Sequence, residues 1–132
     1  MVNLTTGIRE SLAGAKTAFF ATSSINGIPN VVPIGAFKVY DDGTILVSDQ
    51  FFNKTLANMK ENPHAALSWW GDRGGYQIRG TVTLHTDDEV FRHDVAWMKE
   101  LRPQLKPKTA VLLKVTDVYD VKPGPDAGKK IL

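Results

Sequence analysis

The sequence predicts a mainly β protein, a six-stranded antiparallel barrel with helices on its outside. Two observations carry that prediction. Residues 76–85 alternate cleanly, Tyr76, Ile78, Val82 and Leu84 falling on one face and Gln77, Arg79, Thr81 and Thr83 on the other, the period of a half-buried strand. The other apolar runs are short and are separated by turn chemistry such as Asn26–Gly27, Asp41–Asp42–Gly43 and GDRGG, the spacing of an antiparallel meander. An open antiparallel sheet covered by helices is the alternative architecture.

The elements follow in order. LTTGIRESLAGAK reads as a short helix with Ile8, Leu12 and Ala15 on one face and Thr5 or Thr6 as its cap. TAFFATSS is apolar on both faces and so suits a central strand. VVPIGAFKVY is read as the second strand and TILVSD as the third. FFNKTLANMKENP is a helix with Asn53 at the N-cap and Pro63 at its end, Leu56, Met59 and Lys60 lying at helical spacing. HAALSWW and YQIRGTVTLHT give two more strands. Thr86-Asp87-Asp88-Glu89 is a capping-box signature. It opens a helix whose Val90, Phe91, Val95, Trp97, Met98 and Leu101 are expected to pack inward. TAVLLKVTDVYDV is the last strand, and residues 122–132 form an irregular tail.

The chain has 132 residues, 42% of them hydrophobic, which suits a single domain spanning residues 1–132 with one core. Its net charge of +2 and the even spread of lysine and arginine argue against nucleic acid as a partner. The absence of cysteine excludes disulfides, thiolate catalysis and cysteine-based metal sites. His64, His85 and His93 lack metal-ligand spacing, so no metal is expected. No apolar run approaches the roughly 20 residues that span a bilayer. A cytoplasmic protein without a membrane partner is the expectation.

The residues that invite chemistry lie around the second helix. Its first residue, Lys54, puts a cation at a helix N-terminus, where the partial charge is already positive. Either Lys54 points into water, or a bound anion at the free N–H groups reverses the local sign and Thr55 adds a donor. Ser48, Asp49 and Gln50 just before it can meet the edge of a heterocycle or serve as ordinary loop residues. Phe51 and Phe52 can shelter an apolar ring or staple the helix entry. Pro33 and Gly35, close together in the second strand, mark either a kinked edge or backbone exposed to a flat ligand. Trp69, Trp70 and Trp97 read as core or interface anchors. No nucleophile elbow, Walker loop or GxGxxG occurs, and no catalytic residue is assigned.

The stretches NVVPIGAFKVYDDGTILVSD, NKTLANMKENPHAAL and YQIRGTV, followed by a final strand, resemble the split-barrel flavin-binding family related to pyridoxamine 5′-phosphate oxidase. The resemblance runs from Thr17 to Val121, and the Lys54–Thr55 pair is its most specific element. It implies a Greek-key split barrel with FMN as cofactor. It implies that Lys54 and Thr55, with Asn53 beside them, hold the FMN phosphate. Val32, Pro33 and Ile34 would line the isoalloxazine ring, and Ser48 and Asp49 would contact the ring or ribityl chain. It further implies a homodimer with the flavin at the interface, the partner's tail, residues 122–132, helping to close the site. The expected activity is that of an FMN-dependent oxidoreductase whose electron donor and acceptor are unassigned. The arginine and histidine of the true oxidases' C-terminal extension have no counterpart before Leu132, so oxidation of pyridoxamine phosphate itself is not expected. The added C-terminal elements of haem-degrading relatives are missing too. The alternatives are a flavin-binding electron carrier or storage protein without its own substrate, a relative binding the deazaflavin F420, and a barrel without flavin that acts as an interaction module.

Overall fold

The stretch VVPIGAFKVY, read above as one strand, is two. In the computed structural model, which describes residues 2–132, β2 (Pro29–Ile34) and β3 (Phe37–Asp41) flank a break at Gly35–Ala36. With β1 (Ala18–Ser23), β4 (Thr44–Asp49), β5 (His64–Gly71), β6 (Gly74–His85) and β7 (Thr109–Asp120), they form one curled antiparallel sheet in the order β2-β1-β5-β6-β7-β4-β3. β2 and β3 are thus neighbours in the chain but occupy opposite edges of the sheet. The two residues between them bridge the seam, and the Ala36 carbonyl accepts from Ser48 N at 3.0 Å. The barrel is split there because no ladder joins β2 to β3. Pro29 and Pro33, which cannot donate to a ladder, sit on the edge strand that this leaves.

The expected count of six strands also misses β8 (Lys129–Lys130), which pairs with Tyr119–Asp120 of β7. The first half of β7, Thr109–Lys114, pairs with β4, and the tail takes over that edge further along. Ile131 N donates to the Val118 carbonyl at 2.8 Å, and Leu132 packs against the core. Pro123, Gly124 and Pro125 keep the approach irregular, but past Gly128, at φ 86°, the backbone finds free ladder groups on its own chain.

The barrel interior is filled by Phe20, Ile45, Val47, Leu67, Trp69, Ile78, Val111, Leu113, Val115 and Val118, every one buried. One end is plugged by α1 (Thr6–Gly14) through Ile8 and Leu12. Thr5 caps α1, its hydroxyl accepting from Ile8 N at 3.3 Å. The buried indole of Trp69 donates to Ser11 Oγ at 2.9 Å, which satisfies the one polar atom it brings inside. β1 is paired on both sides, yet it alternates; its outward Phe19 is 50% exposed.

Helix α2 (Lys54–Glu61) lies against β1 and β2, and α3 (Glu89–Leu101) lies across the outside of β7. The capping reading of α3 shifts by two residues. Asp88, not Thr86, is the cap, accepting from Phe91 N at 3.1 Å, with His85 Nδ1 2.6 Å from its other oxygen. The buried face of α3 matches the expectation only in part: Met98 is fully buried as expected, but the other fully buried side chain is Asp94, and Leu101 is 49% exposed. The apolar residues named from the sequence spread too widely around the helix to share one face, and the sheet takes the row one turn apart on which Asp94 lies.

Candidate functional site

Where the chain crosses the seam, the break in the sheet leaves a cavity of about 420 Å³ between β2, the end of β4, the start of α2 and the C-terminus of α3. That volume lies within the range of small-molecule pockets. The edge strand supplies an apolar wall of Val32, Pro33 and Ile34. Its outer side has no strand partner, so backbone groups of β2 face the opening.

The opposite wall is the entry of α2. Asn53 holds the N-cap position, but its side chain makes no cap hydrogen bond. The amides of the first turn are therefore left without a side-chain acceptor, at the positive end of the helix. Thr55 is buried to 2% exposure and still lines the cavity. Its hydroxyl accepts from Asn30 Nδ2 at 3.0 Å, so its own proton is free to donate. The same amide reaches Thr22 Oγ1 at 3.3 Å, and Asn58 Nδ2 reaches it at 3.1 Å. This network fixes α2 against β1 and β2. Lys54 completes the wall.

Of the residues singled out from the sequence, the structure brings together Val32, Pro33, Ile34, Ser48, Asn53, Lys54 and Thr55 around one cavity. Asp49 is not among them. It is fully buried behind the wall, where Oδ1 accepts from Phe52 N at 2.8 Å and lies 4.0 Å from Lys108 Nζ. Its position just after Ser48 in the sequence suggested a ligand contact; instead its carboxylate pins the turn that leads into α2. Gln50, also named from the sequence, does reach the cavity, and its Nε2 donates to Ser48 Oγ at 2.6 Å. Phe51 and Phe52 divide the roles left open for them. Phe51 is 82% exposed at the rim, and Phe52 stacks on Phe20 with ring centres 6.1 Å apart.

Sequence reasoning missed Arg102 altogether. It follows α3 and lines the cavity, its guanidinium lying against Gly35, where a Cβ would stand 3.0 Å from one of its terminal nitrogens. The bare position at Gly35 was the available signal: the missing side chain makes room for a side chain from another element.

The electrostatics are one-sided. Lys54 and Arg102 line the cavity together with a helix N-terminus, and among the described residues no carboxylate does. Nor does any histidine, cysteine or tyrosine. The arrangement can bind and orient an anionic ligand with a flat apolar part. Among the described residues Lys54 is the one side chain at the surface of the cavity that could exchange a proton.

Comparison with known proteins identifies the architecture. The sequence profile of the pyridoxamine 5′-phosphate oxidase family matches residues 4–122. The chain belongs to this family. Protein MJ0282 of Methanocaldococcus jannaschii is 42% identical over 134 residues, a match covering 99% of this chain and 89% of that protein. Among solved structures, HupZ of Group A Streptococcus superposes with a TM-score of 0.82 at 20% identity, covering 95% of this chain and 99% of that one. An FMN-binding protein from Syntrophomonas wolfei superposes with a TM-score of 0.68 at 20% identity, over 84% of this chain and 80% of that one. The fold is also that of HutZ, a heme storage protein from Vibrio cholerae (TM-score 0.68, 19% identity, 90% and 95% covered), and of an F420 reductase (0.62, 18%, 83% and 94%). At these identities the likeness is one of fold. The antiparallel split barrel of the family is therefore the fold of this chain, and flavin binding is the cofactor chemistry the family suggests. No helix among the described residues is long and apolar enough to cross a membrane.

Proposed function

We propose that the chain binds FMN in the seam cavity and acts as an FMN-dependent redox protein, an oxidoreductase of its family. The observation that carries this reading is the uncapped start of α2, with Lys54 and the free hydroxyl proton of Thr55 beside it, opposite the apolar wall of Val32, Pro33 and Ile34. The helix entry suits a phosphate, and the wall suits a flat heterocycle. When bound, the flavin supplies the electron or hydride transfer. The protein's part is to hold it: Lys54 and Thr55 at the phosphate, the β2 wall against the ring, and Ser48 and Gln50 at its polar edge. Arg102 adds a second positive charge to the cavity.

The lack, among the described residues, of any carboxylate, imidazole, thiol or phenol at the cavity surface favours a second reading, that of a flavin-binding electron carrier without its own substrate. Purified protein examined by absorbance and mass spectrometry identifies the bound group, FMN or F420. Reduction by a nicotinamide cofactor, followed by turnover of a small acceptor, then separates oxidoreductase from carrier.

The site is read as lying at a homodimer interface. Phe19, Val31 and Trp70, on β1, β2 and β5, are 50%, 62% and 61% exposed and point outward from the sheet. An apolar face of this kind is ordinarily covered, and a second copy of the chain is the occupant proposed.

A further inference from the structure

A second cavity opens on the other side of Gly35. It has a volume of about 450 Å³ and lies between α1, β3 and the C-terminal half of α3. Gly35 lines it as well as the seam cavity, and the end of α3 stands between the two: Leu101 lines the second cavity and Arg102 the first. The flavin reading gives this second cavity no part. Its walls are apolar and partly aromatic, built from Leu12 of α1, Phe37 and Val39 of β3, and Trp97 and Leu101 of α3. Trp97 and Leu101 are one helical turn apart and so share a face. β3 ends the sheet on this side, and its outer edge carries backbone groups without a ladder partner.

Two cations stand in this apolar setting, and they differ. Arg9 is already satisfied: its guanidinium donates to Asp42 Oδ1 at 2.7 Å and to the Leu4 carbonyl at 3.1 Å. Lys38 is not. Its Nζ lies 4.7 Å from the ring centre of Trp97, and among the described residues it enters no ion pair. A ring face attracts the ammonium but leaves its N–H donors for an oxygen. Among the described residues no carboxylate lines the cavity. Burial is the main influence on the Lys38 amine and pulls it below the ordinary lysine value, while the charges of Asp94 and Glu100 oppose the change. A bound anion at Nζ would offset the burial in the same direction.

We propose that this second cavity is a binding site for a small organic monoanion with a flat apolar body, a carboxylate whose charge meets Lys38 and whose rings lie among Phe37, Trp97 and Leu101. One unpaired cation matches one negative charge. The aromatic and aliphatic walls match a ring system, and the volume lies in the range of small-molecule pockets. The proposal does not depend on what fills the seam cavity.

The test is titration of 2-naphthoate into the 132-residue chain without FMN, with 2-naphthamide as an uncharged probe of the same shape. The readout is the indole N–H signal of Trp97 in 15N NMR; the chain has three tryptophans, and Trp97→Phe assigns the signal. Naphthoate should shift it saturably and bind roughly tenfold to a hundredfold more tightly than the amide, the range of one charge-assisted hydrogen bond. Lys38→Met, which keeps the apolar stem, should bring naphthoate down to the level of the amide. Intermolecular NOEs should run from the naphthyl protons to Phe37 and Trp97. No saturable shift, equal affinity of wild type for the two probes, or unchanged naphthoate affinity in Lys38→Met overturns the proposal. So do NOEs to Val32 and Ile34, which would place the probe in the seam cavity. Should Lys38→Met not fold, the wild-type comparison and the NOEs decide by themselves.

Discussion

Asp94 shows how a single buried carboxyl shapes stability. Its folded-state titration stands near 6, above the ordinary carboxylate value of 3.8. The native state therefore holds a proton that the unfolded chain has already lost between those two values. Stability contributed by Asp94 is complete below about pH 4 and is lost as pH rises through 6. Each pH unit of displacement corresponds to about 1.4 kcal/mol, so on the order of 2–3 kcal/mol is at stake. Asp94→Asn should flatten this part of the stability–pH curve; urea melts of the apoprotein from pH 4 to 7 measure it, and an unchanged curve would count against the buried carboxyl. At the cavity mouth, Gly35→Ala should leave the fold intact, because the atom it meets is the far end of a flexible arginine. It should push Arg102 aside and weaken FMN binding. Equal FMN affinity in the variant would remove Arg102 from the site. Lys54, Thr55 and Ser48 were legible in the sequence because helix-start chemistry is local. Arg102 was not, because only the tertiary fold brings the end of α3 onto Gly35. Asp49 was misplaced for the same reason: sequence neighbours at the end of a strand point to opposite sides of the wall.

At the level of elements, the long strands are where the backbone leaves least room. The β6–β7 ladder slips between Arg79 and Gly80, and a Cβ on Gly80 would stand 2.0 Å from the Lys114 carbonyl oxygen. That contact is with backbone and cannot be relieved by a side-chain rotation. Gly80→Ala should cost about 3 kcal/mol, seen as a drop in the urea midpoint of the apoprotein; a neutral result would mean that the bulge is free to shift. The alternation of β6 was readable from sequence, but its bulge was not, since nothing in YQIRGTV marks where two partners slip. The break at Gly35–Ala36 was half readable. Pro33 and Gly35 announced an irregularity, whereas the destination of the two halves, opposite edges of one sheet, is decided by the pairing of β1 with β5 and of β4 with β7. The breadth of the apolar set on α3 hid which face would be buried, and Asp94 with it.

On the scale of the whole molecule, one seam produces both the open edge and the cavity, and the outward face beside it is apolar. If a second copy covers that face, Trp70→Glu should leave the chain folded and shift sedimentation at low micromolar concentration from twice the chain mass to one. A wild-type monomer that holds FMN tightly would remove the interface from the account. The central claim is that the start of α2 holds the phosphate of FMN. The direct measurement is titration of FMN and of riboflavin into wild type and Lys54→Ala, with apoprotein melts alongside. A charge-assisted hydrogen bond of about 1.5–3 kcal/mol predicts a loss of very roughly tenfold to a hundredfold in FMN affinity. Riboflavin binding should be nearly unchanged, and the apoprotein at least as stable, since a cation has left a helix N-terminus. Equal affinity for FMN in wild type and variant, or no preference of wild type for FMN over riboflavin, would contradict it.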